Sequence, residues 1–117
     1  MASSGIQVQN NTATTGLTAF ATGGATSATL LTGRINVVST CATAADSVIL
    51  AAGQSQGSEV IVRNSGAAAC AVFPNTGATI NGGTATAGSV SVTNAKGAIF
   101  YQVGTDGLTW VTGALAA

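Results

Sequence analysis

The sequence predicts an all-β fold, a small antiparallel β-sandwich or barrel with an extended N-terminal arm. From Arg34 onward, short runs rich in β-branched and aromatic residues recur about every 10 residues, as in sandwiches and barrels. The runs are separated by turn sequences such as Asn64-Ser65-Gly66 and Asn81-Gly82-Gly83. No window shows apolar residues at a convincing helical spacing with caps at both ends.

The β domain is expected to cover residues 34–117. Its predicted strands are Arg34–Thr40, Asp46–Leu50, Glu59–Asn64, Cys70–Phe73, Ser89–Thr93, Ala98–Val103 and Leu108–Thr112. Thr105-Asp106-Gly107 predicts a hairpin between the last two strands. In the third run, two valines share a face opposite Glu59, Ile61 and Arg63. Glu59 and Arg63 are either diagonal neighbours or pair across strands, and both arrangements stay open.

The predicted core consists of the large apolar side chains of these runs. We expect it to contain Ile35, Val37, Val48, Leu50, Val60, Val62, Val72, Phe73, Ile80, Val90, Val92, Ile99, Tyr101, Val103 and Trp110. This set is small for a domain of this length, because ordering each residue costs about 1–2 kcal/mol in backbone entropy. Oligomerisation would bury additional apolar surface.

Residues 1–33 are mostly small and polar, and they predict a separate N-terminal arm. Such a segment buries too little apolar surface to offset the entropy lost on ordering. It is therefore either a disordered tail or an extended arm that orders on a partner. Fully extended, it could span roughly 100 Å. The apolar side chains available as anchors are Ile6, Val8, Leu17, Phe20, Leu30 and Leu31.

Charged residues make up 5% of the chain, against about 25% in an average soluble domain. Three basic and three acidic residues give a formal net charge of zero. Either hydroxyl and amide groups solvate the surface, or much of the surface is buried in an assembly. Three isolated cations exclude a basic patch, so we expect no nucleic-acid partner. No continuous apolar run is long enough for a transmembrane helix, and the start lacks the pattern of a secretory signal. We therefore expect the chain to fold in a cytoplasm.

One motif resembles a catalytic site. Gly53-Gln54-Ser55-Gln56-Gly57 matches the G-x-S-x-G nucleophile elbow, which needs a histidine to accept the serine proton. The chain contains no histidine, and β-like runs flank the motif on both sides. The carboxylates Asp46, Glu59 and Asp106 are scattered and predict neither an acid–base pair nor a metal site. We expect no enzymatic activity, no metal and no cofactor.

Two cysteines, Cys41 and Cys70, are too few for a disulfide framework or a zinc site. Both are expected to be buried free thiols, with a bridge between them as the alternative. Trp110 and Tyr101 allow two interpretations as well. They either line a sugar-binding surface or belong to the core or to a subunit interface.

The stretch from Asp46 to Trp110, just over half of the chain, resembles a small β module found in virion proteins of tailed bacteriophages. The likeness lies in its strand and turn pattern: Asp46-Ser47-Val48-Ile49-Leu50, Val60-Ile61-Val62-Arg63-Asn64-Ser65-Gly66-Ala67, Val72-Phe73-Pro74, Ile80-Asn81-Gly82, Ala98-Ile99-Phe100-Tyr101 and Trp110. Such proteins are capsid decoration (cement) proteins or appended fibre and tail modules. The low charge departs from many soluble virion proteins.

The resemblance implies a structural, non-enzymatic virion protein that forms a homotrimer on the capsid exterior. Its partner would be the major capsid protein, and its action would be to stabilise the shell by bridging neighbouring capsomers. The alternative is a head-fibre or tail module that binds a host receptor or glycan. The short chain and the lack of an internal repeat favour the decoration protein. The expected capsid or subunit contacts are the six anchors of the arm, together with Trp110.

Overall fold

The computed structural model describes residues 12–21 and 24–115. The regular structure of these residues consists of ten short β-strands and one helix of four residues, which confirms the predicted all-β class. The elements are β1 (Ala13–Thr18), α1 (Gly24–Ser27), β2 (Thr29–Leu31), β3 (Ile35–Thr40), β4 (Ser47–Leu50), β5 (Glu59–Asn64), β6 (Cys70–Phe73), β7 (Thr79–Ile80), β8 (Val90–Val92), β9 (Lys96–Gln102) and β10 (Thr109–Leu115).

The strands form two sheets that share one apolar core. The six-stranded sheet, called the large sheet below, has the order β1-β3-β5-β9-β10-β7. The four-stranded sheet, called the small sheet, has the order β2-β4-β6-β8. The strands β1 to β6 alternate between the two sheets. Each of β3, β4, β5 and β6 pairs in parallel with the strand two before it in the chain. This part of the chain therefore winds as three stacked coils, each with one strand in each sheet.

The strand directions differ from the predicted antiparallel arrangement. Antiparallel pairing joins β5 to β9, β9 to β10 and β6 to β8, and the predicted hairpin at residues 105–107 is confirmed. The pairings within the three coils, and that of β7 with β10, are parallel. Parallel neighbours need a long crossover connection. Here a strand of the opposite sheet supplies that connection in the coils, a topology that alternation of polar and apolar residues alone does not reveal.

Part of the predicted arm lies in the sheets, since β1 and β2 both precede Arg34. β1 extends the large sheet beside β3, and β2 extends the small sheet beside β4. Leu31 is only 2% exposed and belongs to the core. The prediction counted apolar anchors and did not credit the backbone hydrogen bonds that an edge strand gains from its neighbour. Residues 1–11, which include Ile6 and Val8, lie outside the described residues.

The core is confirmed in outline, but two strands face the opposite way from the prediction. In β3 the buried residues are Asn36 and Val38, whereas Ile35 is 36% exposed. In β9 and just beyond it, Ala98, Phe100 and Gln102 are buried, whereas Val103 is 44% exposed. Val37, Phe73, Val90, Ile99 and Tyr101, also expected in the core, are only partly buried. A shift of one residue exchanges the two faces of a strand.

Buried amide side chains explain these two shifts. Asn36 donates through Nδ2 to the carbonyls of Gly33 at 2.9 Å and Ile61 at 3.2 Å. Its Oδ1 accepts from Gly33 N at 3.1 Å and Thr14 Oγ1 at 2.7 Å. A single amide thus joins the first three parallel strands of the large sheet. Gln102 Oε1 accepts from the backbone N–H groups of Gly104 and Thr109 at the β9–β10 turn.

Asn64 connects the two sheets. At the end of β5 it is fully buried, and its Nδ2 donates to Ala68 O at 2.8 Å and to Val92 O, in β8, at 2.9 Å. Its Oδ1 accepts from Gly66 N at 2.9 Å. A β-carbon at Gly66 would lie 2.5 Å from Cys41 N, so glycine lets this corner stack directly on the preceding coil.

Asn64→Ala should lower the free energy of unfolding by about 2–4 kcal/mol, because two buried carbonyls and one N–H lose their partners. Asn94→Ala is the matched control. Asn94 is exposed in a turn, and its substitution should change stability by less than about 0.5 kcal/mol. Urea denaturation of both variants checks the expectation. Equal effects in the two variants would show that Asn64 does not hold the corner together.

Candidate functional site

The outer face of the large sheet carries a row of isoleucines at its centre. Ile35 in β3 is the register partner of Ile61 in β5, and Ile61 is the partner of Ile99 in β9. These three residues, called the isoleucine row below, are flanked along each strand by buried residues that point into the core. They therefore point outward. Ile35 is exposed, and Ile61 and Ile99 are partly exposed.

The residues beside the isoleucine row are also largely apolar. On one side Tyr101 lies opposite Glu59 and Val111. On the other side Arg63 lies opposite Val37 and Gly97. The outer face therefore combines a wide apolar surface with one acidic and one basic residue on the same strand. A sheet face of this composition is typical of an interaction surface.

The outer face of the small sheet carries a second apolar row. Leu30 in β2 is the register partner of Ile49 in β4, and Ile49 is the partner of Phe73 in β6. Leu30 is 53% exposed, and the other two side chains are partly exposed. These three residues are called the small-sheet row below. Phe20, which is 49% exposed, pairs with the first residue of β4 beside this row.

The contact residues predicted from the sequence, where the structure describes them, fall into an exposed group and a buried group. Phe20 and Leu30 lie on the surface of the small sheet, where a partner can reach them. Leu31 and Trp110 are buried, and Leu17 packs against the core. The isoleucine row was missed as a surface because Ile35 and Ile99 were assigned to the core, which left Ile61 alone on the face opposite the two valines. The missed signal was that β5 is apolar at both alternating positions, a pattern typical of strands covered on both faces.

Trp110 has a structural role within this chain. It is fully buried, and its Nε1 donates to Asn75 Oδ1 at 2.8 Å. Asn75 in turn donates to Gly107 O at 3.3 Å, so the pair ties β10 to the turn before it. A tryptophan in this position has no free face on which a sugar ring could stack. The core interpretation of Trp110 is confirmed.

The serine motif lines a cleft of about 480 Å³ beside the start of β5. Its other walls come from residues 31–34, Ala51 and residues 58–60. Arg34 Nη2 donates to Glu59 Oε1 at 2.7 Å in this cleft. The ion-pair partner of Glu59 is therefore Arg34 and not Arg63, which the sequence suggested. Ser55 itself is exposed. With no histidine in the sequence, no described residue beside Ser55 can act as the base of a triad.

Within residues 12–21 and 24–115, no three His, Cys, Asp or Glu side chains lie close enough to hold a metal ion. In the same ranges, no helix has the length and apolar character needed to cross a membrane. Comparisons with protein-family models, curated proteins and solved structures find no match to this chain.

Cys41 and Cys70 are buried free thiols, as predicted. Cys41 Sγ lies 3.4 Å from Ala69 O, at the same corner where Asn64 connects the sheets. Burial, with a smaller contribution from the neighbouring Cys41, raises the pKa of the Cys70 thiol from the ordinary value of 9.0 to about 12. Burial also raises the pKa of Cys41. Both thiols are therefore protonated at neutral pH and act as small apolar side chains.

These pKa shifts predict a loss of stability at alkaline pH. In the unfolded chain Cys70 ionises above about pH 9, whereas in the folded chain it stays protonated until about pH 12. The stabilisation is complete below pH 9 and is lost as the pH rises towards 12, by up to about 1.4 kcal/mol per pH unit.

Urea denaturation between about pH 8 and pH 11 tests this expectation, with Cys70→Val as the comparison. The variant removes the ionisable thiol at similar volume, so its stability should fall less steeply with pH. An identical slope in both proteins would show that Cys70 does not titrate in the unfolding equilibrium.

Proposed function

We propose that the protein is a structural virion protein, a capsid decoration protein of a tailed bacteriophage. It is made in the host cytoplasm and binds the outer surface of the capsid, where it stabilises the shell by bridging neighbouring capsomers. The observation that carries the proposal is the pair of apolar outer faces, one on each sheet. A bridging protein needs more than one contact surface, and these two faces point in opposite directions from the shared core.

The distribution of charge supports this assignment. Of six charged residues in the sequence, Asp46 is buried, and Arg34 and Glu59 pair with each other. Little charge is left to keep a free monomer in solution, because a small domain normally relies on a larger net charge. Burial of both faces in an assembly would remove the exposed apolar surface and the need for that charge.

The small-sheet row and Phe20 form the proposed contact with the major capsid protein. Leu30 and Phe20 are the most exposed large apolar side chains among the described residues, and both belong to this surface. A decoration protein that binds only the assembled shell stabilises it by mass action. Each site needs only a low affinity, since many copies on a closed shell act together.

A head-fibre or tail module that binds a receptor or glycan is less well supported. A sugar-binding surface usually combines an exposed aromatic ring with polar groups. Trp110 lies in the core, and the exposed ring of Phe20 lies beside the apolar small-sheet row. The cleft beside β5 is lined by amide and hydroxyl groups but includes no aromatic side chain among its lining residues.

Leu30→Asp should weaken binding to capsids that lack the protein by at least about tenfold, equivalent to about 1.4 kcal/mol per site. The aspartate places an unpaired charge in an apolar contact, whereas the fold is kept because Leu30 is 53% exposed. Co-sedimentation with capsids measures the binding, and circular dichroism checks the fold.

Asn94→Asp adds the same charge at an exposed turn away from the small-sheet row and serves as the matched control. It should bind capsids and raise their resistance to heat as the original protein does. Undiminished capsid binding by a folded Leu30→Asp protein would rule out the small sheet as the capsid contact.

A further inference from the structure

The outer face of the large sheet carries two opposite charges that are placed symmetrically about its centre. Glu59, Ile61 and Arg63 are the outward residues of β5, because the residues between them point into the core. Glu59 lies at the start of the strand and Arg63 lies one residue before its end. The middle residue belongs to the isoleucine row. Any partner that covers this face must match an acid on one side and a base on the other.

Arg63 has no ion pair among the described residues, although it is partly buried beside Val37 and Gly97. The sequence contains only three acidic residues. Asp46 is buried and its Oδ2 accepts from Thr43 N, and Asp106 Oδ1 accepts from Leu108 N in the β9–β10 turn. Glu59 is thus the one acid on this face, but it lies about 13 Å along the strand from Arg63. When another molecule covers this face, a carboxylate of that molecule can pair with Arg63.

We infer that the outer face of the large sheet packs against the same face of two other copies, around a threefold axis parallel to the isoleucine row. This rests on the proposed function, for which the resemblance to virion modules implies a homotrimer, and it assigns the interface of that trimer. Because this axis is perpendicular to the strands, rotation about it leaves each strand at the same height along the axis in all three copies. It brings the Glu59 side of one copy to the Arg63 side of the next, so three equivalent ion pairs close the ring. Glu59 would then bridge its own Arg34 and Arg63 of the next copy.

The dimensions of the sheet fit three copies. A strand of six residues, such as β3 or β5, is about 20 Å long. Three such sheets would form the sides of a triangular prism, each side about 20 Å wide. The threefold axis would then lie about 6 Å from each sheet, close to half the ~10 Å spacing of packed sheets. One apolar side chain per strand fills that distance. Ile35, Ile61 and Ile99 would form three successive layers, each containing the same isoleucine from three subunits.

A pair of engineered cysteines tests the interface in the full-length protein. Glu59→Cys and Arg63→Cys in one chain lie about 13 Å apart along the strand, and a disulfide requires Cα atoms within roughly 7 Å. A bridge can therefore form only between copies. Oxidation of the double variant should give a covalent trimer, and nothing larger, on a non-reducing gel. Each single variant and the original protein, whose own cysteines are buried, should stay uncrosslinked.

A largest product of two chains, or a ladder beyond three chains, would contradict the threefold ring. Lack of any cross-link in a variant that still sediments as a trimer would place the interface elsewhere. Ile61→Asp gives an independent measurement, since it should dissociate the trimer by placing three carboxylates around the axis. Ser91→Asp, exposed on the outer face of the small sheet, should leave the trimer intact. A trimer that persists in Ile61→Asp would also overturn the inference.

The outcomes separate this inference from the proposed function. A protein that binds and stabilises capsids but forms no cross-link supports decoration and refutes the interface. A protein that forms the covalent trimer but does not bind capsids supports the interface and refutes decoration.

Discussion

The stacking of the coils depends on buried amide side chains at the ends of the strands. Where the chain leaves one sheet for the other, backbone N–H and C=O groups lose their ladder partners while still being buried. Asn36 and Asn64 provide replacement partners at two of these places, and Gln102 does the same at the β9–β10 turn within the large sheet. The amides also determine which face of β3, β5 and β9 points inward. The position of the isoleucine row on the outer face follows from that orientation.

This orientation leaves the molecule with more apolar surface than its own core can cover. β3, β5 and β9 carry apolar residues at both alternating positions, and a single chain buries only one set of them. The small sheet repeats the pattern on its own outer face through Leu30, Ile49 and Phe73. A chain with three basic and three acidic residues has little charge with which to solvate two such faces. In the proposed function assembly would resolve this imbalance, with one face in contact with other copies and the other face in contact with the shell.

The sequence predicts the seven main strands of residues 34–117 closely, because turn residues and β-branched runs are local signals. It does not predict the strand directions, since alternation is the same in parallel and antiparallel pairs. It also does not predict the first coil, in which β1 is mostly threonine, alanine and glycine and is held by backbone hydrogen bonds. For the candidate site, the exposed residues Phe20 and Leu30 were predicted from the sequence as candidate contacts. Ile35 and Ile99 were not, because a buried asparagine or glutamine facing inward is less expected than an isoleucine.

The central claim is that both apolar faces are covered on an assembled particle, and cryo-electron microscopy of the native virion tests it most directly. The account predicts density for three copies around a threefold axis on the capsid exterior, with the large sheets facing one another and the small-sheet row against the major capsid protein. Density for an isolated copy with either face exposed to solvent would contradict the account. Absence of the protein from the capsid surface would contradict it as well.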